Sequence, residues 1–101
     1  MSESKDFVLY KQFIEPKLFV YRVEKRHFMG GDFGDLDQIE FNSIEIGGEI
    51  DFWSKGYLSI HLVNYLTGNV LLNVFLSPDE GSKKSEAFSK LSELLEGISD
   101  E

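Results

Sequence analysis

The chain contains no cysteine, and that one absence removes thiolate metal sites, thiol catalysis and disulfide staples together. Only two histidines are present, His27 and His61, too few nitrogen ligands for a typical zinc site. A site of one histidine with carboxylates is what stays open. No apolar run approaches the ~18 residues that a membrane helix needs. The first residues, MSESKDF, are polar and lack the apolar segment of a secretory signal. These features predict a cytoplasmic protein with no membrane partner. Prolines number two, Pro16 and Pro78, and both read as element boundaries. The last deficit is of one sign of charge: from residue 27 to residue 54 there is no Lys or Arg.

What is present is a globular composition. At 101 residues with 42% apolar content, nine Phe, four Tyr and one Trp, the chain reads as a single domain over 1–101. A chain of this length hides roughly 60–70% of its unfolded surface and needs no staple to fold. Residues 1–6 and 99–101 read as disordered ends. The net charge is −8, and it is uneven. Asp32, Asp35, Asp37, Glu40, Glu45, Glu49 and Asp51 all fall in the stretch without basic residues, which alone carries −7. Such a field repels nucleic acid and anionic membranes and attracts basic partners, or it simply keeps a small protein soluble. The neighbouring Arg22, Lys25, Arg26 and His27 read as a solvated strand end or as internal salt-bridge partners.

Periodicity predicts strands followed by one helix. FVLYKQFI (7–14) reads as a first strand, broken by Glu15-Pro16-Lys17. LFVYRVEKRHF (18–28) reads as a second, with Phe19, Tyr21 and Val23 on one face, and IEFNSIEI (39–46) as a third. The parity change between Phe41 and Ile44 suggests a bulge near Asn42-Ser43. WSKGY and YLTGN both look like three-residue hairpin loops with a left-handed glycine. That turn choice sets Phe52 against Leu58, Ile50 against Ile60, Ile60 against Val74 and Leu58 against Leu76, with Asn64 facing Val70. One face of a three-stranded meander then holds Ile50, Phe52, Leu58, Ile60, Leu62, Val70, Leu72, Val74 and Leu76. In LSPDE, Ser77 offers a cap, Pro78 a first helical position and Glu80 the capping-box acid, with Gly97 as the stop. Ala87, Phe88, Leu91, Leu94, Leu95 and Ile98 form one apolar stripe at helical spacing. The expected fold class is α+β: a largely antiparallel, about five-stranded meander sheet with one C-terminal helix on its apolar face.

The stretch FMGGDFGDLDQIEF (28–41) reads as an acidic surface loop. Counted from Asp32, its acids fall at positions 1, 4 and 6 with Gly34 at 3, which does not match a calcium-binding EF-hand loop. Its glycines match neither a dinucleotide fingerprint nor a P-loop, and its own charge opposes a phosphate. No metal and no cofactor is expected. A negative docking surface built on Asp32, Asp35, Asp37 and Glu40 is the functional reading.

The second face of the meander mixes Trp53, Tyr57, Val63, Tyr65, Leu71 and Phe75 with Glu49, Asp51, Ser59, His61 and Asn73. Either the first two strands cover part of it or it is an exposed contact patch. Asp51, Ser59 and His61 are the residue types of a hydrolytic triad. Neighbours on a flat strand pair stand parallel, however, and do not converge on one reacting atom, and no G-x-S-x-G elbow is present. A cross-strand pair of His61 with Glu49 is the plainer reading. No catalytic residue is assigned on this basis, although a small hydrolase or lyase using His61 with Glu49 or Asp51 stays as an alternative.

The segment GGEIDFWSKGYLSIHLVNYLTGNVLLNVFLSPDE (47–80) resembles small immunity proteins of bacterial toxin systems, including contact-dependent growth inhibition. The likeness lies in the Gly-Gly lead, the FWSKG turn, the TGN turn and the LSPDE exit, about a third of the chain. It implies a non-enzymatic cytoplasmic protein that binds one cognate basic toxin domain, often a nuclease, and neutralises it. The residues expected to meet that partner are Asp32, Asp35, Asp37, Glu40, Glu49, Asp51, Trp53, Tyr57 and His61. A homodimeric interaction module is the alternative.

Overall fold

The computed structural model describes residues 4–99 as two helices, one short 3-10 turn and one antiparallel sheet. Helix α1 spans Lys5–Phe13 and is followed by the 3-10 turn Glu15–Lys17. Five strands follow, β1 (Arg22–Gly31), β2 (Gly34–Asn42), β3 (Ile46–Trp53), β4 (Leu58–Asn64) and β5 (Val70–Leu76), and helix α2 (Gly81–Ser99) closes the order. The sheet is a meander of order β1-β2-β3-β4-β5, as the α+β expectation required. It is open, with β1 and β5 as its edges.

The N-terminal third departs from the expectation. Residues 7–14 belong to a helix, not a strand. Ser4 caps it by accepting the Phe7 N–H at 3.1 Å, and Asp6 sits in its first turn. Asp6, Tyr10 and Ile14, each four residues on from the last, are all buried, which is a helical face. Lys5 and Asp6, assigned above to a disordered end, are therefore part of α1; residues 1–3 and 100–101 lie outside the described residues. The second strand starts at Arg22, later than expected, because Leu18 and Tyr21 turn into the core while Phe19 is exposed.

The acidic stretch is not a loop. It is the β1–β2 hairpin, in which His27 pairs with Asp37, Phe28 with Leu36 and Gly31 with Gly34. The parity change near Asn42 is likewise a turn and not a bulge. Asn42 pairs with Gly47, and Ser43 N–H donates to Ile46 O at 2.8 Å.

From Ile46 onward the expected register holds. Phe52 faces Leu58, Ile50 faces Ile60, Ile60 faces Val74 and Leu58 faces Leu76. Gly56 N–H donates to Trp53 O at 2.9 Å and takes φ of 98°, the left-handed conformation that the WSKGY loop demands. The second loop closes one residue earlier than expected, with Asn64 N–H donating to Asn69 O at 2.9 Å. A register shift between Leu62 and Val63 then sets Val70 against Val63 and leaves Val70 exposed. Ser77 and Glu80 do bond reciprocally, Ser77 N–H to Glu80 Oε1 at 2.9 Å and Glu80 N–H to Ser77 O at 3.1 Å. They form a turn ahead of α2, which begins at Gly81 and runs through Gly97 without stopping there.

Both helices lie on one face of the sheet. Phe52 is central to the core, with ring centroids 5.3 Å from Phe7, 5.8 Å from Tyr10 and 6.4 Å from Phe88. Ile50, Leu58, Ile60, Leu62, Leu91 and Leu95 complete a dry interior. Burial, with Glu15 nearby, pushes the Tyr10 hydroxyl up to about 12. At one side a buried ion pair joins the helices: Lys84 Nζ lies 3.0 Å from Asp6 Oδ2 and also donates to the Gly56 carbonyl. Three separate parts of the chain meet at that ammonium.

Candidate functional site

Among the described residues no further helix or strand lies on the face opposite the helices, so the alternative in which the first two predicted strands cover it does not hold. Strand pairing arranges its side chains in rows that cross the sheet. One row is Glu24, Glu40, Glu49, His61 and Asn73; the next is Arg26, Gln38, Asp51, Ser59 and Phe75. Six of the nine residues singled out in the sequence, Glu40, Glu49, Asp51, Trp53, Tyr57 and His61, are gathered here.

The rows are bonded to one another. Arg26 donates to Glu24 Oε1 at 2.7 Å, to Glu40 Oε1 at 2.9 Å and to Gln38 Oε1 at 3.4 Å. Gln38 passes the chain on, its Nε2 donating to Glu49 Oε2 at 3.2 Å and to Asp51 Oδ1 at 3.1 Å. One guanidinium thus serves two carboxylates, and one neutral amide serves two more. Partial burial raises Glu49 above the usual carboxylate range, and Asp51 and Glu40 raise it further while His61 offsets them. His61 faces Glu49 in register, with Nδ1 3.5 Å from Asn73 Oδ1. Asp51, Ser59 and His61 project side by side from paired strands, the parallel arrangement that argues against a hydrolytic triad.

Beside the carboxylates lies an aromatic cluster. Phe33, at the tip of the β1–β2 hairpin, reaches over Tyr57 at 4.2 Å, Phe75 at 5.7 Å and Trp53 at 5.8 Å between centroids. Main-chain bonds hold that tip in place: Ser54 N–H to Asp35 O at 2.8 Å and Lys55 N–H to Phe33 O at 3.1 Å. Tyr65 reaches across the other end of the face to Asn42 and lies over Gly47, where a methyl group would meet its ring. On the buried side of the same strand the Phe41 ring occupies the corresponding space over Gly48.

The remaining acids do not join this face. Asp37 and Asp35 share the parity of Ile39 and point to the helix side. Asp37 Oδ1 lies 2.6 Å from His27 Nδ1, and this hydrogen bond raises the imidazole above its ordinary value. Asp35 Oδ1 accepts the Gly30 N–H at 3.0 Å, while Asp32 sits exposed at the hairpin tip. The four acids of residues 28–41 are therefore split between two faces and a tip instead of forming one negative loop. A cleft of about 640 Å³ opens beside His27 and Asp37, floored by Phe7, Ile39 and Phe52.

Sequence reasoning missed Phe33, Gln38 and Glu24, while Arg26 is the internal salt-bridge partner that one of its two readings expected. The signal was the pair Gly31 and Gly34 around Asp-Phe, a hairpin turn, although a register shift between Phe28 and Gly31 breaks the alternation beyond it. Among the described residues no helix is long and apolar enough to cross a membrane, and no group of three or more His, Asp and Glu side chains is placed to hold a metal ion. Comparison with protein-family models, with curated proteins and with solved structures finds no match.

Proposed function

We propose that the chain binds and neutralises a basic protein, a toxin domain of nuclease type, through the open face of its sheet, and that it is itself no enzyme. The observation that supports this reading is the crowding around Glu49. Four carboxylates, Glu24, Glu40, Glu49 and Asp51, share one guanidinium and one amide, and partial burial together with the neighbouring Asp51 and Glu40 keeps Glu49 above its normal range. A Lys or Arg supplied from outside offsets the neighbouring carboxylate charge, so the free energy stored in the cluster favours a basic partner. The Phe33, Trp53, Tyr57 and Phe75 rings next to it provide the desolvated anchor that charge alone lacks. The likeness of residues 47–80 to small immunity proteins points the same way, and such a protein acts in the cytoplasm before its target does damage.

The contact surface in this reading centres on Glu40, Glu49, Asp51, Trp53 and Tyr57, with Asp32 at the rim. Asp35 and Asp37 are outside it. The test is capture of binding proteins from the source cells with the tagged chain, at low and moderate salt, beside the variant carrying Glu40→Gln, Glu49→Gln and Asp51→Asn. A single basic protein, retained by the parent chain and lost by the folded variant, is the expected result. Equal retention by both, or retention of no basic protein, refutes the assignment.

A further inference from the structure

The cleft beside His27 is used neither by the packing nor by the proposed function. It opens on the helix side of the sheet, opposite the carboxylate rows, and its volume of about 640 Å³ falls within the range of small-molecule sites. Distant parts of the chain build it: Phe7 from α1, Lys25 and His27 from β1, Asp37 and Ile39 from β2, and Phe52 from β3. Strand parity explains why the gap stays open. Lys25 pairs with Ile39 and His27 with Asp37, so β1 gives the helices no apolar row to close on. The floor, by contrast, belongs to the core. Ile39 is 2% and Phe52 6% exposed, and the Phe52 ring meets Phe7 edge to face at 5.3 Å. Such a floor is formed before any ligand arrives.

The charges along the cleft select its occupant. In a chain of net charge −8, basic residues outnumber acidic ones here, with Lys25, Arg26 and His27 against Asp37. The Arg26 guanidinium bonds on the open face, which leaves Lys25 and His27 to meet a ligand. Asp37 is already engaged: its carboxylate lies 2.6 Å from His27 Nδ1, orients the imidazole and leaves Nε2 as the free hydrogen-bonding atom. As the imidazolium, which that bond favours, the ring donates through Nε2. Lys25 Nζ is held only by Glu15 at 3.7 Å, an exposed pair, so the ammonium is free to turn to a nearer anion.

We propose that the cleft binds a small aromatic monocarboxylate, its ring on Phe7, Ile39 and Phe52 and its carboxylate accepting from His27 Nε2 and Lys25 Nζ. A single negative charge matches the border, because Asp37 and Glu15 already use part of the positive charge. A flat ring matches the floor, where two phenyl groups and a branched aliphatic chain offer edge and face contacts. Reading residues 7–14 as a strand concealed this site, since Phe7 reaches the cleft only as part of α1. The site does not rest on the neutralising function, and the acids of the open face take no part in it.

The experiment is a titration of the isotope-labelled chain with naphthoate at about pH 6, followed by NMR, with naphthylmethanol and naphthylmethylamine as neutral and cationic counterparts. Naphthoate is expected to bind with a Kd on the order of 1 mM or tighter and to shift the amides of Phe7, Lys25, His27 and Ile39 saturably. The alcohol is expected to bind about fivefold more weakly, and the amine more weakly still. Lys25→Gln and His27→Ala, both at exposed positions, are expected to keep their circular dichroism and each to weaken naphthoate about threefold or more. Absence of saturable shifts overturns the proposal, as does an amine that binds as well as naphthoate. Shifts centred on Tyr57 and Phe75 overturn it too, because the ligand would then lie on the open face. Unchanged affinity in both folded variants removes the carboxylate site. The variant with Glu40→Gln, Glu49→Gln and Asp51→Asn is expected to bind naphthoate at least as well as the parent. Loss of partner capture there, with naphthoate binding retained, separates the two proposals.

Discussion

The same three strands present two very different faces. On the helix side Ile39, Phe41, Ile50, Phe52, Leu58, Ile60 and Leu62 are buried without exception. On the open side, one residue away at each step, stand Gln38, Glu40, Glu49, Asp51, Ser59 and His61. A period of two lets one strand serve both purposes, stability on one side and recognition on the other. The two jobs differ in what they tolerate. The helix side is held by packing and one enclosed ion pair, so its parts fail when altered singly. The open side is held by hydrogen bonds among groups that repel one another, so some losses there make the fold more stable.

The largest break in this contrast lies at Lys84. Replacing it with Met strands the Asp6 carboxylate among the helices and is expected to cost about 3–5 kcal/mol in denaturant unfolding. Adding Asp6→Leu should return most of that, because the charge left behind, not the lost attraction, is the main penalty. A middling effect comes from two adjacent glycines. Gly48→Ala pushes into the buried Phe41 ring and is expected to cost about 1–3 kcal/mol, whereas Gly47→Ala meets the half-exposed Tyr65, which can swing away, and should cost less than about 1 kcal/mol. Paired thermal melts decide it; equal losses would show that the open face is packed as rigidly as the core.

The smallest effect has the opposite sign. Glu49 is raised in the folded chain, so between the ordinary carboxylate value and its raised one the folded state holds more proton than the unfolded state. Stability therefore falls as pH climbs through that window. Glu49→Gln is expected to flatten the stability profile there and to leave the protein slightly more stable at neutral pH. His27 is raised too, so whatever it contributes is present below the ordinary imidazole value and fades as pH rises through the folded one. A profile that keeps its lower slope in Glu49→Gln would remove the crowding on which the neutralising function rests.

Residues 47–76 were legible almost pair by pair, because loop chemistry and two-residue alternation constrain each other. Gly56 fixes where β3 and β4 turn, and a slip by one would have placed Glu49 and Asp51 in the core. The earlier residues lacked that cross-check. In FVLYKQFI apolar side chains are dense enough to satisfy two periods, and Tyr10 and Ile14 reveal the helix only once Ser4 is seen as a cap. The β1–β2 hairpin was illegible for another reason. Alternation reports burial, and in this hairpin, which projects past the helices, His27 and Asp37 on the helix side are as wet as Arg26 on the other. Between Ile39 and the hairpin tip there was no dry side, and so no pattern to read. Hence the acids of 28–41 looked like one loop, while their true distribution depends on strand parity.

The junction of Asp6, Lys84 and Gly56 has a consequence for how the chain comes into being. Asp6 and Lys84 lie 78 positions apart. During synthesis the first helix emerges with its partner for that carboxylate still unmade, and it stays so until residue 84 has been added. The core is thus closed last, when α2 packs against α1, while the sheet itself is built from strands that neighbour one another in sequence. Any ribosomal truncation short of α2 would release an unfinished acidic sheet and leave chaperones and proteases to deal with it.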